Sequence, residues 1–177
     1  MPTIFSHPAP ILALGVALGR RRVSSRLLFA LAFFAVAPDV DAIGFYLGVP
    51  YASWLGHRGF SHSLVFAVFC GLVGAGVAPW LKASRLWAGA LVFLAVASHI
   101  ALDALTSGGL GVAALWPFSD TRYFFPWHPI RVSPMSLARL FSERGAAVFY
   151  SEFLWIWLPS LALILASCAW RFMGRRK

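Results

Sequence analysis

Four histidines and three aspartates carry most of the chemistry this chain can perform. They lie in four short stretches: His7 in FSHP, Asp39 and Asp41 in APDVD, His57 and His62 in HRGFSHS, and His99 and Asp103 in SHIALD. The whole chain has only six acids and five histidines in 177 residues, so this gathering is not what scattered placement gives. His99 and Asp103 stand at i and i+4, on one face of a helix about a turn apart. An imidazole nitrogen and a carboxylate oxygen at that spacing can hold one metal, a carboxylate can bridge two, or the pair can hydrogen-bond to each other. Asp39 and Asp41 flank Val40 after Pro38. At membrane depth they repel each other and lose solvation, penalties that a bound cation removes; as solvated loop acids they would cap the following segment instead.

His57 and His62 are five residues apart and would diverge on a continuous helix. Gly59 between them allows a turn into a helix N-terminus that lets both converge. Arg58 and the free N–H groups from Ser61 to Leu64 then favour an anion such as phosphate. His7 joins the set by its place at the end of the first apolar segment. His128, in PWHP, reads as an interfacial residue. Ser6, Ser61, Ser63 and Ser98 neighbour the histidines, but no GxSxG elbow is present to support a serine nucleophile. The ligand atoms are nitrogen and oxygen without thiolate, which suits Zn²⁺, Mn²⁺ or Fe; more than three ligands suggests two metals, and the expectation is one or two ions. A hydroxide generated on the metal could attack a phosphoryl or acyl centre, with Asp39 or Asp41 handling the proton.

The elements that must position these residues are apolar. The composition is 60% hydrophobic and 12% charged, where soluble domains carry about a quarter charged residues, and the mean hydropathy is +0.76. Runs at 64–81, 86–102 and 153–170 approach the ~20 residues of a spanning helix. The expectation is an all-α, polytopic membrane protein, a single domain over 1–177. Its five helices would lie near 4–19, 27–37, 62–81, 86–106 and 147–170, with Ser61 capping the third and a long outer loop, 107–146, between the fourth and fifth. Pro38 either kinks the second helix or ends it, leaving APDVD as an irregular turn. The N-terminus lacks a basic region and cleavage site, so it is not read as a removable signal. Cys70 and Cys168 lie in apolar runs and read as filler.

The net charge of +9 flanks apolar segments, which argues for membrane orientation and against nucleic acid. With the N-terminus outside, five spans place Arg20, Arg21, Arg22, Arg26, Lys82, Arg85, Arg171, Arg175, Arg176 and Lys177 inside. Arg58, Arg122, Arg131, Arg139, Arg144 and all six acids fall outside. This threading satisfies the positive-inside rule and puts His7, Asp39, Asp41, His57, His62, His99 and Asp103 at the outer ends of four helices, with the C-terminus cytoplasmic.

The stretches APDVDA, HRGFSHS and SHIALDALT together resemble the YdjM-like family of bacterial and archaeal inner-membrane proteins, described as membrane-bound metal-dependent hydrolases. The resemblance covers about residues 5–130, and its HRGxxHS and SHxxLDxxT motifs imply that His57, His62, His99, Asp103 and the Asp39/Asp41 pair are metal ligands. The HxxxD step with an upstream Asp and His is also distantly similar to the metal-binding pattern of zinc-dependent phospholipase C and P1-type nucleases, without their later His-xxx-Glu pair. The expected function is hydrolysis of a phosphoester in a membrane lipid or lipid-linked substrate at the outer face, with Arg58, Arg122 and Arg131 holding the phosphate. The expected partners are membrane lipids and that substrate, and an oligomer is compatible with the reading. Two other classes compete. Intramembrane His and Asp also mark metal-ion or proton pathways, although the inner halves of the helices carry no polar residues to continue one. A non-catalytic protein with a structural metal would favour closed coordination by about four ligands.

Overall fold

The computed structural model describes residues 1–134 and 137–174, and among these no strand is longer than an isolated bridge. Arg175, Arg176 and Lys177, part of the expected inner charge, lie outside the described residues. The helices are α1 (Ala9–Leu18), α2 (Ser25–Val36), α3 (Leu64–Gly76), α4 (Arg85–Ala104), the short turn α5 (Leu137–Leu140), α6 (Glu143–Glu152) and α7 (Leu158–Gly174).

Serines start three of them. The side chains of Ser24, Ser63 and Ser84 accept the N–H groups of Leu27, Phe66 and Trp87, satisfying donors that a helix start otherwise leaves orphaned. The cap of α3 is therefore Ser63, not Ser61 as expected. Ser61 is drawn instead into the polar cluster described below. α1 begins beside Pro8 and ends at Gly19, whose φ of 82° suits a residue without Cβ. α2 does not stop at Pro38. It tightens into a 3₁₀ helix, Ala37–Phe45, so that one 21-residue apolar segment runs from Ser25 to Phe45. Proline cannot donate to the α pattern, and the change to i→i+3 bonding frees carbonyls of the last α turn.

Three segments are long and apolar enough to cross a membrane: Ser25–Phe45, Arg85–Ala104 and Glu143–Gly174. The last is 32 residues long and joins α6 to α7 through one π-helical stretch, Phe153–Trp157, so it starts earlier than the expected residue 147. α1 and α3 hold only 10 and 13 residues, about 15 and 20 Å at 1.5 Å each. Of the five expected spans, these two fall short of the ~30 Å core by length. α3 stops early because Pro79 lies in the turns that follow it, and Gly19 stops α1.

α4 is the central helix and packs against both α3 and α2, while α1 packs against α7. Glycines let α3 and α4 touch: a Cβ on Gly71 would press on the Gly89 carbonyl, and one on Gly74 on the Val92 side chain. The main core joins Leu27, Leu31, Ala67, Leu91, Val92 and Ala95 of α2, α3 and α4. A smaller one, Ala9, Leu102, Ile130 and Ile156, ties α1, α4, the loop after α4 and the π-helical stretch together. That loop is folded down. Bridges pair Thr106 with Ile130 and Val112 with Tyr123, and backbone bonds run from Ala113 to Arg58 and from Leu64 to Ala114.

Candidate metal centre

Each local device of the fold delivers one polar side chain to a common point. His7 precedes α1, Asp39 and Asp41 lie on the 3₁₀ helix, the turn Phe60–His62 carries His62, and His99 and Asp103 occupy the last two turns of α4. His7, His62, His99 and Asp103 are completely buried and Asp39 nearly so. His62 Nε2 lies 3.3 Å from Asp103 Oδ2 and 3.8 Å from Asp39 Oδ1. His99 Nε2 is 3.5 Å from Asp39 Oδ1 and 3.0 Å from His62 Nε2. His7 Nε2 stands 3.7 Å from both Asp39 Oδ2 and Asp103 Oδ1, its ring stacked on His99. Each carboxylate thus turns one oxygen toward the His62/His99 pair and the other toward His7.

The polar atoms that remain unsatisfied give the strongest indication of a ligand. Both oxygens of Asp39, both of Asp103 and both ring nitrogens of His7 are buried without a hydrogen-bond partner among the described residues. The Arg58 guanidinium compensates Asp103 in part, but Asp39 has no fixed cation beside it, and an uncompensated buried charge costs several kcal/mol, so the pair leaves a place for a further cation. The hydrogen bonds made by the other two histidines indicate the same thing. His99 Nδ1 donates to the Ala35 carbonyl at 2.8 Å, one of the acceptors freed where α2 changes pitch. His62 Nδ1 faces Asp41 Oδ2 at 3.1 Å. With Nδ1 protonated on both rings, the two Nε2 lone pairs would meet at 3.0 Å, which needs a proton or a metal between them. Ligand atoms sharing one ion at ~2.1 Å lie about 3.0–3.6 Å from one another, and the contacts here, from 3.0 to 3.8 Å, lie within or just beyond that range. Asp39, His62, His99 and Asp103 can hold a metal ion on geometric grounds.

Electrostatics agrees with the donor set. Burial pushes the His7 imidazole down to about 3, leaving it neutral. Burial also opposes charge on His62, but its bonds to Asp103 and Asp41 outweigh that and raise it to about 9. The three carboxylates around this ring demand one positive charge, which a metal would supply in place of the proton. His57 is lowered by burial despite its partner Asp41.

Asp39 and Asp41, alike in sequence, have different surroundings. Asp41 is already engaged: His57 Nδ1 lies at 2.6 Å, and the Arg58 N–H and the Ser61 hydroxyl donate to its other oxygen. It orients His62 in the way carboxylates orient metal-bound histidines. Asp41, His57 and His62 could form a second group, but Asp41 has its oxygens filled where Asp39 has none.

The three expected phosphate-binding arginines are placed differently. Arg58 is fully buried, its Nε 2.9 Å from Asp103 Oδ2, and its other nitrogens donate to Thr106 Oγ1 and the Gly108 carbonyl. Its φ is 64°, a conformation that costs a non-glycine residue about 1 kcal/mol or more and tends to occur at functional sites. Arg122 donates to the carbonyls of His57, Tyr51 and Ser53 and so holds the 50–58 loop. Arg131 exposes its side chain, while its backbone N–H donates to Ser151. His128 is exposed and packs edge-on against Phe124, apart from the cluster.

Sequence reasoning missed Glu152. It is wholly buried and accepts from the Thr3 N–H and hydroxyl and from Ser6 Oγ, which in turn accepts from Trp157 Nε1. This carboxylate ties the segment preceding His7 to the last span. A lone acid at the head of an apolar run was the signal available. The supports Ser61, Thr106 and the Ala35 carbonyl left no such mark.

The model of the family described as YdjM inner membrane protein matches residues 1–177. The chain is 41% identical over 175 residues to "Inner membrane protein YbcI" of Escherichia coli (strain K12), covering 97% of this chain and 99% of that protein. No solved structure matches.

Proposed function

Because the chain belongs to the YdjM inner membrane protein family, we propose that it is a membrane-embedded, metal-dependent hydrolase acting on a phosphoester of a lipid or lipid-linked substrate. The observation that carries this reading is the pair of buried carboxylates, Asp39 without a fixed cation and Asp103 with Arg58 beside it, facing the Nε2 atoms of His7, His62 and His99. One or two divalent transition ions, Zn²⁺ first by donor type and Mn²⁺ or Fe next, fit that set. When bound, such an ion activates water and screens the charge of a phosphoryl group. Asp39, with no donor on either oxygen, is the carboxylate free to accept the proton. Arg58 pins Asp103, and Asp41 fixes the His62 tautomer. Arg131 is the candidate of the three whose side chain is exposed to meet a headgroup phosphate.

In the membrane we place the N-terminus and the cluster outside and the C-terminus in the cytoplasm. α1 and α3 would be extended to five crossings by their flanking turns, and residues 107–146 would cover the site. A site at helix ends near headgroup depth reaches lipid phosphates without extracting the lipid. The complete burial of His7, His62, His99 and Asp103 favours a second reading, a structural metal. Metal content and turnover of defined phospholipids by the detergent-purified protein test both. One to two equivalents of metal with turnover lost in Asp39→Asn supports the hydrolase. Bound metal without turnover of any phosphoester supports the structural site, and no metal after incubation with Zn²⁺ or Mn²⁺ sinks both.

A further inference from the structure

The opposite end of the bundle holds a second polar feature. A cleft of about 850 Å³ opens where the end of α1, the start of α2 and the end of α7 meet. Arg20, Arg21 and Arg171 line it, and none of the chain's six acids does. Two of these arginines are held in place. Arg171 donates to the carbonyls of Val16 and Ala17, and Arg20 donates to Ser25 Oγ. Arg21 has no hydrogen bond or ion pair among the described residues and is exposed. About a turn further along the same helices the walls become apolar, with Gly15, Val16 and Leu28.

We propose that this cleft binds the phosphate of an anionic phospholipid headgroup, with one acyl chain descending along the α1/α2 wall. The fixed guanidiniums supply a preformed positive rim, and the absence of a neighbouring carboxylate leaves that charge uncompensated. Basic pockets between membrane helices recognise anionic headgroups through this combination. A free phosphate ion would meet the same guanidiniums but would not use the apolar wall. That wall, continuous with helices that enter the hydrocarbon, favours the amphiphile. The site lies at the other end of α1 and α2 from the His/Asp cluster, and the inference does not depend on what that cluster does.

The test uses the full chain in neutral detergent, titrated with dioleoyl-phosphatidylglycerol or dioleoyl-phosphatidylcholine in mixed micelles and followed by native mass spectrometry and thermal melting. Phosphatidylglycerol is expected to be retained roughly fivefold or more over phosphatidylcholine. Arg21→Ala should abolish most of that preference and Arg21→Lys should keep it. Arg85→Ala, which removes the same charge from the start of α4 outside the cleft, should change it less than about twofold. Equal losses in Arg21→Ala and Arg85→Ala would show a diffuse charge effect and overturn the site. So would equal retention of the two lipids, or stabilisation by millimolar inorganic phosphate that phosphatidylglycerol does not match. Circular dichroism and metal content report whether Arg21→Ala is folded. If it is not, Val16→Trp, which fills the apolar wall, carries the same reading, and an intact lipid preference there overturns the proposal.

Discussion

The two ends of this bundle use charge in opposite ways. At the His/Asp end, charged groups are buried and held by specific partners: His99 by the Ala35 carbonyl, Asp41 by Ser61 and Arg58, Asp103 by Arg58. At the arginine end, Arg20, Arg21, Arg22 and Arg26 are exposed, and those that find partners pair with a hydroxyl, a carbonyl or the face of Trp80. The difference lies in what removal leaves behind. A deleted surface arginine leaves water in its place. A deleted member of the buried cluster leaves other charges stranded, at a cost of roughly 3–5 kcal/mol.

The strongest challenge to this contrast is Asp103→Ala. It removes a carboxylate that faces His7 and His62 and also strands the Arg58 guanidinium. We expect loss of all bound metal, measured by elemental analysis, together with a large fall in melting temperature. Retained metal would place the ion elsewhere. Asp41→Asn should be milder, because Asp41 orients His62 without itself being an open ligand; a fall in metal affinity of about 10–100-fold is expected by competition with a chelator. An effect as complete as that of Asp103→Ala would make Asp41 a direct ligand. Glu152→Gln keeps the shape and one acceptor but removes the charge that takes three bonds from Thr3 and Ser6. The expected loss is ~2 kcal/mol of stability, with metal held more weakly because His7 is less firmly placed. Arg122→Ala should cost about 1–2 kcal/mol through its three carbonyl bonds, seen as earlier proteolysis of the 50–58 loop. Arg22→Ala, at the other end, should change stability by less than about 0.5 kcal/mol. If Arg22→Ala matched Arg122→Ala, the contrast between the two ends would fail.

The site was more legible in the sequence than the membrane-spanning elements. Rare residue types in an apolar background, at i, i+4 on α4 and across the Gly59 turn, named the seven clustered residues because few other arrangements tolerate them. The sequence did not separate Asp39 from Asp41. Two carboxylates two residues apart differ only in which tertiary donors reach them, and those donors, Ser61 and the Arg58 N–H, arrive from a turn some twenty residues away. The arginines show the same limit. Composition marks them as cations, but whether a guanidinium faces a ligand or a backbone carbonyl depends on the packing of a loop. Helix lengths misled for a different reason: hydropathy continues through Pro79 after α3, whereas backbone geometry does not. Pro38 was read as either a kink or an end, and it proved to be a change of pitch within a continuing segment, which is how the Ala35 carbonyl became available to His99.

The Glu152 contacts also bear on the order of assembly. Thr3 and Glu152 are 149 residues apart, so the candidate ligand His7 is clamped through a residue on the Glu143–Gly174 segment, which is made long after it. During insertion, His62, His99 and the two aspartates can meet as soon as α4 is in place, but His7 stays untethered until that segment arrives. The cluster is therefore completed only once the segment carrying Glu152 is in place, and a chain truncated before residue 152 would present a partly built site without its N-terminal latch.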